Sequence, residues 1–113
     1  MALEIMQREA DGIYLLELRG RLVLGDESAG FRSAIETLLA SGATKIVVNL
    51  GGVNYVDSAG LGALIEAHRN TKAKGGHLKL SHLGPKFKQA LELARLLTIF
   101  ETFPTDSAAL AAF

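Results

Sequence analysis

The chain has 113 residues, 49% of them hydrophobic and 21% charged, with a formal net charge of zero and no cysteine. That balance belongs to a folded domain with a real core rather than to a disordered chain, and the length suits one domain rather than two. Zero net charge gives no overall field to recruit nucleic acid or an anionic membrane, and the lack of cysteine removes disulfides, thiolate metal sites and cysteine nucleophiles together.

The opening stretch MALEIMQREADG carries Glu4 and lacks the basic start of a signal peptide. No apolar run approaches the roughly 18 residues needed to cross a bilayer. A soluble cytoplasmic domain, with no membrane insertion, is the expectation. Leu3, Ile5 and Gln7 alternate with Glu4, Met6 and Arg8, the period of an edge strand. Asp11-Gly12 marks a turn and Ile13 to Leu18 reads as a second strand, so the chain opens with a hairpin. Gly20-Arg21-Leu22 continues it briefly before Gly25-Asp26, where Asp26 is placed to cap a helix. Phe31, Ala34, Ile35 and Leu38 follow at helical spacing, and Gly42 stops that helix.

Ile46 to Leu50 is an apolar, β-branched run between helices, which predicts a central parallel strand covered on both faces. Leu61, Leu64, Ile65 and His68 form a second helical stripe, ended by Gly75-Gly76. His77 to Ser81 alternates again, with Leu78 and Leu80 on one side. Pro85 suits a helix's first turn, and Phe87, Ala90, Leu91 and Ala94 give a third stripe. Ile99 to Phe103 reads as a last strand, and Pro104-Thr105 starts a short helix through Leu110. A hairpin followed by alternating helices and strands predicts an α/β domain with a mixed, mainly parallel sheet of about five strands, about four helices and right-handed crossovers.

The stretch NYVDSAGLGALIEA, Asn54 to Ala67, places Asp57-Ser58, Gly60 and Gly62 directly before or within the start of an apolar helix. Either Ser58 caps that helix, or its hydroxyl is presented to something. Reactive groups in open α/β sheets gather at the C-terminal ends of strands, where helices begin. The first amides of a helix are unpaired and carry partial positive charge, so a phosphate on Ser58 would be accepted there, with Gly60 and Gly62 leaving the backbone approachable. Phosphorylation adds about −1.5 to −2 charge at neutral pH. Asp57, one residue away, would oppose it. Against this stands simple capping, for which Ser and Asp are the usual residues.

Sharper chemistries fail on the residues. The segment Val56-Asp57-Ser58-Ala59-Gly60 lacks the glycine that precedes the serine in a nucleophile elbow, and no His is paired with an orienting acid nearby. Gly60-Leu61-Gly62 begins like a dinucleotide fingerprint, but Ile65 stands at the third glycine position. His68, His77 and His82 lack the spacing of a metal site and read as exposed or capping residues. Cations gather late in the chain, at Arg69, Lys72, Lys74, Lys79, Lys86 and Lys88, and read mostly as a solvated face.

At IVVNLGGVNYVDSAGLGALI the sequence strongly resembles the STAS domain family, the sulfate transporter and anti-sigma factor antagonist domains. The likeness extends over essentially the whole chain, through LELRGRL, GGHLKL and the ending IFETFPTDSAALAAF, and Asp57-Ser58-Ala59-Gly60-Leu61 is its most specific element. Stand-alone domains of this size most resemble bacterial anti-sigma factor antagonists. The resemblance implies a partner switch without cofactors, in which Ser58 is phosphorylated by an anti-sigma factor that is an ATP-dependent serine kinase. The unphosphorylated form would bind that kinase and free a sigma factor, and a serine phosphatase would reset the switch. The protein would then be a substrate rather than an enzyme, with Asp57 helping to place and activate the Ser58 hydroxyl and Gly60, Leu61 and Gly62 supporting the phosphosite. Val23, Leu24, Gly25 and Asp26, together with Asn54, Tyr55 and Ser58, are the expected partner surface, with a monomer compatible with the polar exterior. Ala59 stands where some relatives have a second serine, and Val23 where some have Asp. A similar family role is that of an accessory subunit of lipid-exporting ABC transporters, many of which have Thr at the position of Ser58; a signalling-complex scaffold is a third.

Overall fold

The computed structural model describes residues 3–113. Its elements alternate as the patterning requires: β1 (Leu3–Ala10), β2 (Ile13–Leu22), α1 (Asp26–Ala40), β3 (Lys45–Val56), α2 (Ser58–Ala73), β4 (His77–Ser81), α3 (Pro85–Leu93), β5 (Glu101–Phe103) and α4 (Asp106–Ala111). The five strands lie side by side in chain order. β1 and β2 are antiparallel, and every later pairing is parallel. The hairpin turns at Asp11 and Gly12, both with positive φ (53° and 80°), the backbone that Asp tolerates and Gly prefers.

Ile46, Val48 and Leu50 on β3 point to one side of the sheet, where they join Leu16, Leu18 and Leu22 of β2, Phe31 and Ile35 of α1, Leu64 of α2 and Leu91 of α3. Val47 points to the other side and packs with Ile13, Leu15 and Ala109 of α4. The central strand is therefore covered on both faces, as its unbroken apolar run requires.

Three expectations are corrected. β3 does not stop at Leu50 but runs on to Val56. A side chain at Gly52 would lie 2.8 Å from the Leu18 carbonyl oxygen and 2.7 Å from Arg19 Cγ. Glycine is there to let β3 pass an irregularity in β2, where the register shifts between Glu17 and Arg19. Past Asn49, β3 has no partner on the β4 side among the described residues, so Gly51 to Val56 and the end of β2 form a two-stranded ribbon beyond the sheet. Asp26 is not the cap of α1: Gly25, at φ 108°, turns the chain into the helix, and Asp26 occupies its first turn as a favourable charge. The last strand is trimmed from Ile99–Phe103 to Glu101–Phe103.

Candidate functional site

The ribbon ends at Val56, and α2 starts two residues later at Ser58. Between them Asp57 answers the question posed by the sequence: it is the cap. Its Oδ1 accepts the Gly60 N–H at 2.8 Å and its Oδ2 accepts the Leu24 N–H at 3.0 Å. Its own N–H donates to the Leu22 carbonyl at 3.3 Å. One carboxylate thus closes the first turn of α2 and ties it to the loop between β2 and α1. These contacts, the Leu24 amide foremost and then that of Gly60, hold the Asp57 carboxyl below its ordinary value.

With Asp57 as cap, Ser58 is the first residue of α2 rather than its cap. It is exposed, and its hydroxyl makes no hydrogen bond among the described residues. Gly60 is buried, and it is glycine for packing rather than for ligand access. A Cβ there would strike the Leu22 carbonyl oxygen and come within 2.9 Å of Val56 Cγ2. Gly62 faces open space. Leu61 packs partly against the main core and donates its N–H to the Asp57 carbonyl at 3.0 Å.

The residues expected to meet a partner fall into two groups. Leu24 is 75% exposed and Tyr55 57% exposed, both unusual for large apolar side chains. Gly25, Asp26, Asn54 and Ser58 are exposed on the same end of the sheet, the C-terminal ends of β2 and β3. The Arg21 guanidinium lies 5.9 Å from the centre of the Tyr55 ring and holds it in place on the ribbon. Val23 differs. It is buried, and its carbonyl accepts the N–H and hydroxyl of Ser28 in α1.

Two features escaped the sequence. Lys79 belongs to no solvated face: it is 4% exposed on β4, its Nζ 2.9 Å from Glu101 Oε1 and 4.8 Å and 5.6 Å from the centres of the Phe113 and Phe103 rings. The bond to Lys79 chiefly keeps the Glu101 carboxyl below its ordinary value. The strand period did place Lys79 opposite Leu78 and Leu80, but only α4 makes that side an interior. Asp106, at the start of α4, is the second. Its carboxylate accepts from Asn49 Nδ2 at 3.0 and 3.1 Å and from Ser81 Oγ at 2.6 Å, while its N–H donates to His82 Nε2 at 3.3 Å. This network pins α4 to β3 and to the end of β4. No described helix is long and apolar enough to cross a membrane.

The family model of the STAS domain matches residues 4–109. BtrV of Bordetella bronchiseptica, which carries the name anti-sigma factor antagonist, is 25% identical over 111 residues, covering 98% of this chain and 95% of its own. The tm1081 protein of Thermotoga maritima, a crystal structure titled as an anti-sigma factor antagonist, superposes with a TM-score of 0.89 at 23% identity, over 96% of this chain and 92% of its own. The Bacillus cell fate determinant SpoIIAA in its phosphorylated form superposes with a TM-score of 0.75 at 20% identity, over 97% and 100% of the two chains. With the family model spanning nearly all of its length, the chain belongs to the STAS domain family.

Proposed function

We propose that this domain is an anti-sigma factor antagonist whose docking is switched by phosphorylation of Ser58. The unmodified form binds an anti-sigma factor that is also a serine kinase, and a sigma factor is released. The observation that carries this reading is the division of labour at the start of α2. Asp57 caps the helix, which leaves the Ser58 hydroxyl exposed and uncommitted. Names borne by relatives of full length, BtrV among them, favour the same role.

In the transfer, Ser58 Oγ attacks the γ-phosphorus of ATP held by the kinase. The Oγ–P bond forms, the bond to ADP breaks, and the hydroxyl proton passes to a base. Asp57 is a weak candidate for that base, because its carboxylate is held below its ordinary value and already accepts two N–H groups. Each oxygen keeps a lone pair with which to orient the hydroxyl. The chain itself is substrate, not catalyst.

The phosphate adds about −1.5 to −2 charge beside Asp57. The positive end of α2 offsets part of that within the domain, so the fold tolerates it. In a dehydrated contact that buries Leu24 and Tyr55, an unpaired charge costs several kcal/mol. About 4 kcal/mol corresponds to roughly a thousandfold loss of affinity. A serine phosphatase then restores the binding form, and the cycle belongs in the cytoplasm.

Affinity capture from the source cell with wild type, Ser58→Ala and Ser58→Asp as baits tests this, with mass spectrometry of Ser58 after incubation with the captured partner and ATP. A serine-kinase anti-sigma factor should be held by wild type and Ser58→Ala and lost by Ser58→Asp. Equal capture of transporter subunits by all three, or no phosphate on Ser58 with an active kinase, overturns the proposal.

A further inference from the structure

The two edges of the sheet are not alike. β5 closes one side with three residues, too short to invite another strand. β1 closes the other with eight, paired to β2 without a shift in register, and no strand lies beyond it among the described residues. It carries no proline, lysine or bulge, which commonly guard an open edge. Met6, 50% exposed, stands in the middle of it. Its charges are Glu4, Arg8 and Glu9, and their placement decides whether this edge repels another strand or pairs with it.

The hairpin fixes which backbone groups are free. The two-residue turn at Asp11-Gly12 makes Ala10 and Ile13 a hydrogen-bonded pair, and such pairs alternate along an antiparallel ladder. Arg8, Met6 and Glu4 therefore spend their amides and carbonyls on β2, while those of Leu3, Ile5, Gln7 and Glu9 point outward. The side chains alternate as well. Leu3 and Ile5 pack against the main core, whereas Glu4, Met6 and Arg8 share the opposite face, where Arg8 comes 4.0 Å from Asp106.

A second β1 laid antiparallel along this edge must bring its own outward groups opposite these. The alignment centred on Met6 does so, with Ile5 opposite Gln7 and Leu3 opposite Glu9 as bonded pairs. It also sets Glu4 opposite Arg8 twice, in the unbonded pairs where side chains stand closest. Centred on Gln7, the strands would form no ion pair, with Arg8 opposite Met6 and Glu4 opposite Ala10. Between these two, Glu4 would meet Glu9 and the backbone groups would fall out of phase. Charge and backbone select the same alignment.

We propose that β1 is a self-association edge, which pairs antiparallel with β1 of a second copy about a two-fold axis at Met6 and joins the two sheets into one. The interface stands whatever the role of Ser58. Its axis runs perpendicular to the sheet, so the two Ser58 ends point in opposite directions and each stays open to its own partner. Contact from Leu3 to Glu9 alone buries less than the roughly 1,200 Å² of a stable interface, so the dimer is weak, with a dissociation constant on the order of 100 μM.

The test is sedimentation equilibrium of the full chain from about 10 μM to 1 mM, across which the mass should rise from that of one chain towards that of two. Glu4→Arg or Arg8→Glu alone sets like charges opposite each other twice and should weaken the dimer about tenfold. The double reversal, Glu4→Arg with Arg8→Glu, should restore it. Both positions are exposed, so circular dichroism should show these variants folded. Gln7→Pro removes an outward N–H that β2 does not use, and it should abolish the dimer while leaving the fold intact. A single-chain mass at every concentration overturns the proposal. So does a dimer indifferent to the single reversals or to Gln7→Pro, and so does a double reversal that fails to restore association.

Discussion

Gly60 and Gly62 lie two residues apart on the same helix, and substituting each by alanine should move stability in opposite directions. At Gly60 the new methyl would collide with the Leu22 carbonyl oxygen and sit 2.9 Å from both Val56 Cγ2 and the Leu22 carbonyl carbon. Ordinary carbon contacts need about 3.5–4.0 Å, so the start of α2 must retreat from β2 by roughly 1 Å. It is not free to do so. Asp57 fastens that turn to Leu22 at 3.3 Å, to Leu24 at 3.0 Å and to Gly60 at 2.8 Å. Overpacking of this kind costs about 1–3 kcal/mol, and each stretched hydrogen bond about 0.5–1.5 kcal/mol, against about 1 kcal/mol regained from helix propensity. Gly60→Ala should therefore lose about 2–3 kcal/mol, which for a domain of this size lowers Tm by roughly 10 °C. At Gly62 nothing lies within 4 Å of the added methyl, so only the helix term remains. Gly62→Ala should gain about 0.5–1 kcal/mol. Urea unfolding followed by circular dichroism measures both. A Gly60→Ala variant within 0.5 kcal/mol of wild type, or equal losses at the two sites, would refute the assignment of Gly60 to packing.

Asp57→Asn keeps the shape but loses the charge that accepts the Leu24 and Gly60 amides, so it should weaken the start of α2. Because the folded carboxyl is held below its unfolded value, its stabilisation is complete above about pH 4 and fades as pH falls through the folded pKa. The urea midpoint of wild type should thus drop more steeply than that of Asp57→Asn on acidification below pH 4, and parallel curves would count against the clamp. At the buried pair, Glu101→Gln strands the Lys79 ammonium in the interior, whereas Lys79→Met leaves Glu101 to solvent, where its side chain is 57% exposed. Glu101→Gln should cost about 1–2 kcal/mol, less than a wholly buried pair would, and Lys79→Met should cost less still. The reverse order in thermal melts would show that the contacts of Lys79 with Phe103 and Phe113, rather than its ion pair, hold it in place.

The order of elements was legible because each strand and helix of the core keeps its own period. Ile46 to Leu50, the stripe from Leu61 to His68 and the alternation at Leu78 and Leu80 all lie where their spacing puts them. What the chain hides is contact between distant segments. The apolar run ends at Leu50, and nothing in it announces that Gly52 must pass β2 at Leu18 and Arg19. Asp57 and Ser58 are equally good caps in isolation, and the choice falls to Asp57 because the Leu24 amide, 33 residues earlier, offers its carboxylate a second donor. Val23 resembles an exposed loop residue until the Ser28 hydroxyl and the core claim it. Lys79 looks solvated because α4, which roofs it with Phe113, is too short for its stripe to announce a second apolar layer.

The ribbon formed where β3 outruns β4 grades protection along a single strand. Amides from Ile46 to Asn49 lie between two neighbouring strands, beneath helices on both faces, and open only with the whole domain. Those from Gly51 to Val56 are flanked by β2 alone. Amide hydrogen exchange should therefore be slow at the base of β3 and orders of magnitude faster at its tip. Tyr55 sits at that tip and Ser58 just beyond it, so the surface offered to a partner can adjust its shape on docking without drawing on the stability of the core.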